Sequence, residues 1–527
     1  MSKRDTPRGF AEPGASASPG PQVSSSGAGV RIAPSPFVRD VLISGLTALL
    51  TMGSLVLVTG WLAAGLGPAA FAVYALSRRV VSLAAAVAPA PLALALARAQ
   101  AGVLSERERD AYLWAGTLLG LLACVIFAAV GAAFPSLWAR LLLTDARYAG
   151  VWLSILVMVA GTLVYSLVFA HLRGTSEIAS ANLWQLWALA VGPLIVVGLT
   201  ASREPVTVIL LLLAAVSLTA LVPLVAWLAR AVRRGIRPAD VRLPLRALLR
   251  YSVPRVPGAA ALACLSALGP FLAPYFGDLR EAGYLVAAQS VLRVAELSTA
   301  GFGLVVLPKV SAMQARQQAH FLRERVEDLV GLVLHLGLFA ACQLAIWAPE
   351  IVQAWLGPEY HDAVPVVRAL LVALVPYLGF TLLRSVIDGI EERPVNVWNL
   401  YAALAFTTVL SLVSGLAGFG AVGLALASAG GFALAGALTV SFLWRTLGFS
   451  GANIHAGTAV AFNLAAGLLM LIARWLLPTR LGAGGMLVVV AVLAAGLLVG
   501  YLFALRRLRV RWVIEIEARL LRPGGSR

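Results

Sequence analysis

Apolar residues fill long blocks of this chain from residue 38 to residue 505, and most polar residues fall in the gaps between blocks. An α-helix rises about 1.5 Å per residue, so a block of about 20 apolar residues spans the hydrocarbon core of a bilayer. Spans can be read near 38–64, 70–97, 112–134, 148–170, 178–200, 205–229, 251–276, 282–308, 328–347, 362–387, 395–415, 419–443, 456–477 and 483–505. The pattern predicts an all-α polytopic membrane protein of about 14 transmembrane helices. Composition agrees: 60% of the 527 residues are hydrophobic and 12% are charged, about half the charge of a soluble domain.

The gaps set the topology. With both termini placed in the cytoplasm, 29 lysines and arginines fall on that side and 5 on the other, while 7 lie within spans. Short loops carry such an excess on the cytoplasmic face, and an even number of crossings fits it. The net charge of +17 therefore serves orientation, and no nucleic-acid partner is expected. Residues 1–36, rich in Pro, Ser, Gly and Ala, read as a disordered cytoplasmic tail rather than a signal peptide. Residues 231–250 read as a basic cytoplasmic linker. Residues 506–527 alternate basic and apolar positions and read as an amphipathic tail along the inner membrane surface. No loop is long enough for a soluble catalytic domain, which argues against an enzyme.

The spans repeat. At an offset of 210 residues Gly67 matches Gly277, Ala72 matches Ala282 and Tyr74 matches Tyr284. Further on, Pro135 to Tyr148 echoes Pro349 to Tyr360, and Gly174-x-x-Glu177 echoes Gly389-x-x-Glu392. Two pseudo-symmetric six-helix lobes follow, 37–230 and 251–445, with two additional helices in 446–505. Six crossings return the chain to its starting side, so the copies form a parallel repeat around a central cavity.

Candidate chemistry is sparse. Lys3 and Lys309 are the two lysines and neither lies in a phosphate-binding loop; the five histidines and Cys124, Cys264 and Cys342 show no metal-ligand spacing. Neither cofactor nor metal is expected. The informative residues are intramembrane charges, each costing about 2.5–3.5 kcal/mol at mid-helix on the lowest scale, which normally face protein or water. Arg368 and Arg474 are close enough to span ends to snorkel. Arg384 and Asp388, four apart near a cytoplasmic end, could neutralise each other, and they join Arg255 as secondary site candidates.

Gln289, Arg293 and Glu296 share one face of the eighth span, where Arg293 and Glu296 form either an internal salt bridge or an anion site with a titrating carboxylate. Arg78 and Arg79 sit together in the second span. The offset maps Arg79 onto Gln289, so Arg79 is expected to face the cavity and Arg78 to pack against a neighbouring helix or the headgroups. Arginines with few acids favour an anionic substrate, since the guanidinium fork suits phosphate.

The segment GLGPAAFAVYALSRRV (65–80) resembles the loop and second-helix start of polysaccharide flippases. YLVAAQSVLRVAELSTAGFGLVVLPKVS (284–311) is similar to their eighth helix, WLGPEYHDAVPVVRAL (355–370) to the approach of their tenth, and Gly420–Ala425 to a landmark of their twelfth. The family is the multidrug/oligosaccharidyl-lipid/polysaccharide (MOP) flippase superfamily. The resemblance implies an inner-membrane transporter that turns an undecaprenyl-pyrophosphate-linked oligosaccharide from the cytoplasmic to the periplasmic leaflet by alternating access. It implies cavity contacts from Arg78 or Arg79, Arg293 and Glu296; the repeat and the shared helix face add Gln289, and Glu296 is the ion-coupling candidate. Expected partners are the polyprenyl-pyrophosphate-linked glycan, membrane lipids and polysaccharide polymerase or glycosyltransferase machinery, with the chain acting as a monomer. Residues 41–60 contain no cation, whereas lipid II flippases of the superfamily place cations in the first helix. The polysaccharide branch is thereby favoured, with lipid II as the rival substrate and a cation-coupled multidrug exporter as the further alternative.

Overall fold

Hydrocarbon offers the backbone no hydrogen-bond partner, so a chain this apolar satisfies its N–H and C=O groups within helices. The computed structural model describes residues 36–103, 105–200, 204–295, 310, 319–391, 393–449, 451–477 and 483–514, and all regular structure among them is helical. The first lobe comprises α1 (Pro36–Val87), α2 (Pro89–Ala101), α3 (Glu106–Ala133), α4 (Pro135–Leu143), α5 (Ala149–Gly174), α6 (Ile178–Leu186), α7 (Gly192–Thr200), α8 (Val206–Leu218) and α9 (Leu221–Arg233). The linker helix α10 (Pro238–Ser252) leads to α11 (Val256–Phe276), α12 (279–295), α13 (Ala319–Ile346), α14 (Ala348–Leu356), α15 (Val364–Leu371), α16 (Leu374–Ile390), α17 (Val395–Leu416) and α18 (Gly420–Leu447). Two further spans, α19 (Ala456–Leu476) and α20 (Ala483–Arg507), complete the described chain.

Eleven helices among the described residues are long and apolar enough to cross a membrane, Ile43–Val87 being one of them. That helix is interrupted at Gly67 (φ 71°, ψ 169°), just before Pro68. Residues 54–59 and 71–82 line one cavity, so the chain folds back at Gly67 and α1 supplies two crossings. A left-handed φ costs glycine nothing, and proline suits the first turn of the returning arm. The helices α15 and α16, bent by 52°, form one broken crossing, and α12 occupies the start of the span read at 282–308, of which 296–308 are outside the described residues. About 14 crossings result.

The repeat is visible in the elements. α4, nine residues long and started by Pro135, is followed by a 3-10 turn at 146–148. α14, also nine residues, is followed by a 3-10 turn at 358–363. Alternating crossings put Gly67, both of these short helices and the α11–α12 turn at one end of the molecule, the Gly67 end. The linker α10 lies at the other, the linker end.

Three expectations change. The span read at 70–97 is divided at Ala88, where α1 stops and α2 starts, because Pro89 and Pro91 remove amide donors that a continuous ladder needs. The span at 362–387 breaks at residues 372–373. The basic tail, over its described part, packs on the protein as well as offering exposed arginines. Val510, Trp512 and Val513 are buried in the protein, and Arg511 donates from Nε to Asp328 Oδ1 at 2.9 Å while pairing with Glu324 at 2.9 Å. Two carboxylates on α13 offer a better partner for Arg511 than a headgroup does. Deeper in α13, buried His335 bonds the Tyr501 hydroxyl and the Ile454 carbonyl, which fixes α20 and the α18–α19 loop to the second lobe.

Arg368 and Arg474 have protein partners as well as proximity to a span end. Arg368 Nε donates to Ala345 O at 2.9 Å, and Arg474 Nη1 to Ile346 O at 2.8 Å. Both satisfy carbonyls that the end of α13 leaves without intrahelical donors. Arg474 also pairs with Glu350 at 2.8 Å.

Candidate functional site

A cavity of about 280 Å³ lies between the lobes, lined by both arms of α1, by α5, by the π turn between α6 and α7, by α8 and by α12. The reversal at Gly67 places Ser54 and Thr59 of the outgoing arm opposite Tyr74, Arg78 and Arg79 of the returning arm. Residues 187–191 form the π turn, which lies just before Pro193. Such a turn leaves backbone groups without standard helical partners, and Ser54 Oγ donates to Ala190 O at 3.0 Å.

Three arginines reach this cavity: Arg78, Arg79 and, from α12, Arg293. Arg79 Nη2 donates to Gln289 Oε1 at 2.6 Å. This bond joins α1 to α12 across the lobes, between residues that the 210-residue offset aligns. Gln289 is buried at 5% exposure and its Nε2 has no partner. A void of about 20 Å³ beside it, lined by Arg79, Ser266, Gln289, Arg293 and Tyr377 among others, is large enough for about one water. Arg293 is exposed and has no hydrogen-bond or ion-pair partner among the described residues.

Arg78 meets the expected neighbouring helix and the cavity as well. Its Nη1 lies 3.6 Å from Met158 Sδ on α5, a contact with a neighbouring helix, yet it is exposed and Arg79 is half-buried. Both therefore present charge to the cavity. Helical geometry separates adjacent side chains by about 100°, but a cavity curved around one helix accommodates both. Glu296 lies outside the described residues.

Arg255, Arg384 and Asp388 do not line the cavity. They gather at the linker end, where the Arg255 guanidinium lies 3.5 Å from the Tyr251 ring centroid and donates to the Tyr251 carbonyl at 2.7 Å. Asp388 is within electrostatic reach of Arg384 and Arg255. Arg384 and Asp388 form no direct ion pair; Asn396 Nδ2 donates to Asp388 at 2.7 Å instead.

Sequence reasoning missed the hydroxyls. Ser82, Thr162, Ser166, Ser217 and Ser290 line the cavity, and each donates to the carbonyl four residues earlier. With the hydrogen so occupied, the oxygen lone pairs remain as acceptors. Their signal was present as spacing: Thr162 and Ser166 are one turn apart, and Ser82 follows Arg78 by four. No aspartate or glutamate among the described residues lines the cavity. Three guanidiniums, permanently charged, therefore set its polarity.

The Gly67 end is sealed. Phe71 and Tyr284 each meet the Tyr360 ring edge-on, with centroids 6.1 and 5.9 Å apart. Gly283 packs so tightly on the Pro68 carbonyl that a Cβ there would collide with it. Trp355 Nε1 donates to Val56 O at 2.7 Å, and the Tyr275 hydroxyl to Leu141 O at 2.6 Å.

No family model matches the chain, and no curated protein matches it. Solved structures share its fold. The lipid II flippase MurJ in an inward closed conformation aligns at a TM-score of 0.68 and 12% identity, covering 89% of this chain and 99% of that one. An inward-facing multidrug resistance MATE family transporter of the MOP superfamily aligns at 0.60 and 15%, covering 76% and 98%. A MOP superfamily transporter from Pyrococcus furiosus, described by the reverse polarity of its binding pocket, aligns at 0.55 and 15%, covering 78% and 96%. The fold of this chain is that of MOP transporters.

Proposed function

We propose that this multi-pass membrane protein is a flippase for a pyrophosphate-linked lipid glycan, carried from the cytoplasmic to the periplasmic leaflet of a bacterial inner membrane. The observation that carries this reading is the cavity itself, with three arginines and no acidic side chain among its described lining. Phosphate oxygens match guanidinium donors, and sugar hydroxyls match the acceptor-only oxygens of Ser82, Thr162, Ser166, Ser217 and Ser290. A cationic drug would meet repulsion. An amphiphilic substrate also fits α12, whose other face borders an almost wholly apolar groove of about 750 Å³ lined by Val291, Val294, Leu336 and Leu378 among others.

The geometry suggests how loading couples to movement. Arg79 holds Gln289 across the lobe interface at 2.6 Å. A phosphate oxygen that reaches Arg79 competes with Gln289 Oε1, and a charged acceptor binds a guanidinium more strongly than a neutral amide does. Substrate occupancy thereby loosens one contact between the lobes, and the seal at the Gly67 end becomes the remaining barrier. We place the linker end in the cytoplasm, on the side of the basic loops, and take the monomer as the working unit beside polymerase or glycosyltransferase machinery.

Lipid II is the second reading, favoured by the alignment to MurJ over 99% of that chain. One experiment separates the readings. The purified chain is placed in vesicles with a fluorescent undecaprenyl-pyrophosphate oligosaccharide or with lipid II, and transbilayer movement is followed by quenching from outside. Protein-dependent movement of the oligosaccharide lipid, lost in Arg79→Ala and Arg293→Ala, is the expected result. Faster movement of lipid II selects the second reading. Movement of neither lipid, with proton- or sodium-driven uptake of a cationic dye, sinks both.

A further inference from the structure

The linker helix α10 carries a surface that the transport cycle described above leaves unused. Val241, Pro244, Leu248 and Ser252 are buried against the first lobe. On the opposite face Arg242, Arg246 and Arg250 are all exposed, and their spacing of four puts them within about 80° of one another. None has a hydrogen-bond or ion-pair partner among the described residues. The helix's one acid, Asp240, is already held by Arg107 and by the Arg237 amide, at 2.9 Å each. The same face is also apolar in a way that water does not explain: Leu243 is 77% exposed and Val253, one turn beyond Leu249, 56%.

Where this face sits decides what it meets. α9 ends at Arg233, and α11 begins at Val256, so both ends of α10 are tied to spans within about one turn. The helix runs on through residues 253–255 into α11 within one candidate span, Pro238–Phe276, so its C-terminal half approaches the membrane boundary. A row of unpaired arginines flanked by exposed leucines there matches a leaflet surface, with guanidiniums at headgroup phosphates and aliphatic tips among the acyl chains. A soluble polyanion would match the arginines and leave the leucines wet.

We infer that α10 is a docking site for anionic phospholipid headgroups, centred on Arg242, Arg246 and Arg250. This does not depend on which substrate the central cavity carries.

The test uses the full chain purified in detergent and titrated with short-chain phosphatidylglycerol or phosphatidylcholine, with bound lipids counted by native mass spectrometry. Phosphatidylglycerol should be retained about tenfold or more over phosphatidylcholine, in line with roughly a fivefold gain per basic residue at an anionic surface. The triple variant Arg242→Gln/Arg246→Gln/Arg250→Gln should lose that preference. Arg107→Gln, which alters a paired arginine of the same end, should keep it. Leu243→Asn/Leu249→Asn should weaken it, and so should 0.5 M salt on the unaltered chain, which checks the site even if a variant folds poorly. Equal retention of the two lipids, or an unchanged preference in the triple variant, overturns the proposal. An unchanged preference in the leucine variant together with full competition by inorganic polyphosphate also overturns it, in favour of a soluble anion.

Discussion

The two ends of the molecule are held together by different materials. At the Gly67 end, aromatic rings, a glycine pressed on a backbone carbonyl and two side-chain-to-backbone hydrogen bonds join the lobes over a dry contact. At the linker end the contacts are charged and wet: Arg107 with Asp240, Arg234 with Asp110, and Tyr251 between Arg98 and Arg255. Dry packing tolerates little displacement, because a small gap already forfeits much of the dispersion energy. Exposed ion pairs re-form with water or each other at little cost. The comparison teaches that the Gly67 seal must break as a unit, whereas the linker end can deform gradually.

The largest effect is expected from forcing the seal. Gly283→Leu drives a side chain into the Pro68 carbonyl and should cost about 1–3 kcal/mol of overpacking. Lipid movement in vesicles should fall more than tenfold, with a lower Tm; retained transport would show that the seal is not the barrier. Next come the arginines between the two ends. Arg79→Gln and Arg293→Gln each remove charge-assisted hydrogen bonds worth about 1.5–3 kcal/mol, or roughly 10- to 150-fold in affinity for a pyrophosphate lipid. Equilibrium binding checks this, and Tm should hold for Arg293→Gln, whose guanidinium has no partner to lose among the described residues.

Ser54→Ala sharpens the same contrast from within the first lobe. It leaves the Ala190 carbonyl of the π turn without its hydroxyl donor and should cost about 1 kcal/mol, read as a modest fall in Tm with weakened substrate binding. The smallest effect belongs to the wet end, where Arg107→Ala should lower Tm by about 1 °C or less. The Arg107 hydrogen bond, followed by that of the Arg237 amide, holds the Asp240 carboxyl below the usual aspartate range. Its contribution is therefore complete above the ordinary aspartate pKa and is lost as pH falls through the lowered value. Thermal melts from pH 7 to pH 3 should differ between Arg107→Ala and the unaltered chain at neutral pH and converge in acid.

Much of this was legible in the chain. Apolar blocks marked the spans because hydrocarbon leaves a polypeptide few other choices, and the offset of 210 paired Arg79 with Gln289 before any contact was known. Less legible was everything set by lateral packing. The break at Ala88 is written in Pro89 and Pro91, yet prolines inside spans such as Pro270 and Pro274 leave α11 continuous. The π turn receives a hydrogen bond at Ala190 from a serine 136 residues away. Arg78 meets Met158 of α5, 80 residues further on, which no local spacing encodes. The tail's protein contact was missed for a similar reason: nothing beside Arg511 in the chain points to Asp328 and Glu324.

That clasp has a consequence for how the molecule is made. Asp328 precedes its partner Arg511 by 183 residues, and His335 precedes Tyr501 by 166. At a synthesis rate of about 5–20 residues per second, α13 waits roughly 9–37 s in the membrane before its acids and its buried histidine meet their partners. The second lobe is thus finished only after α20 and the residues that follow it have been made. A nascent chain truncated before residue 500 should present α13 with these groups unmet, as a substrate for membrane quality control.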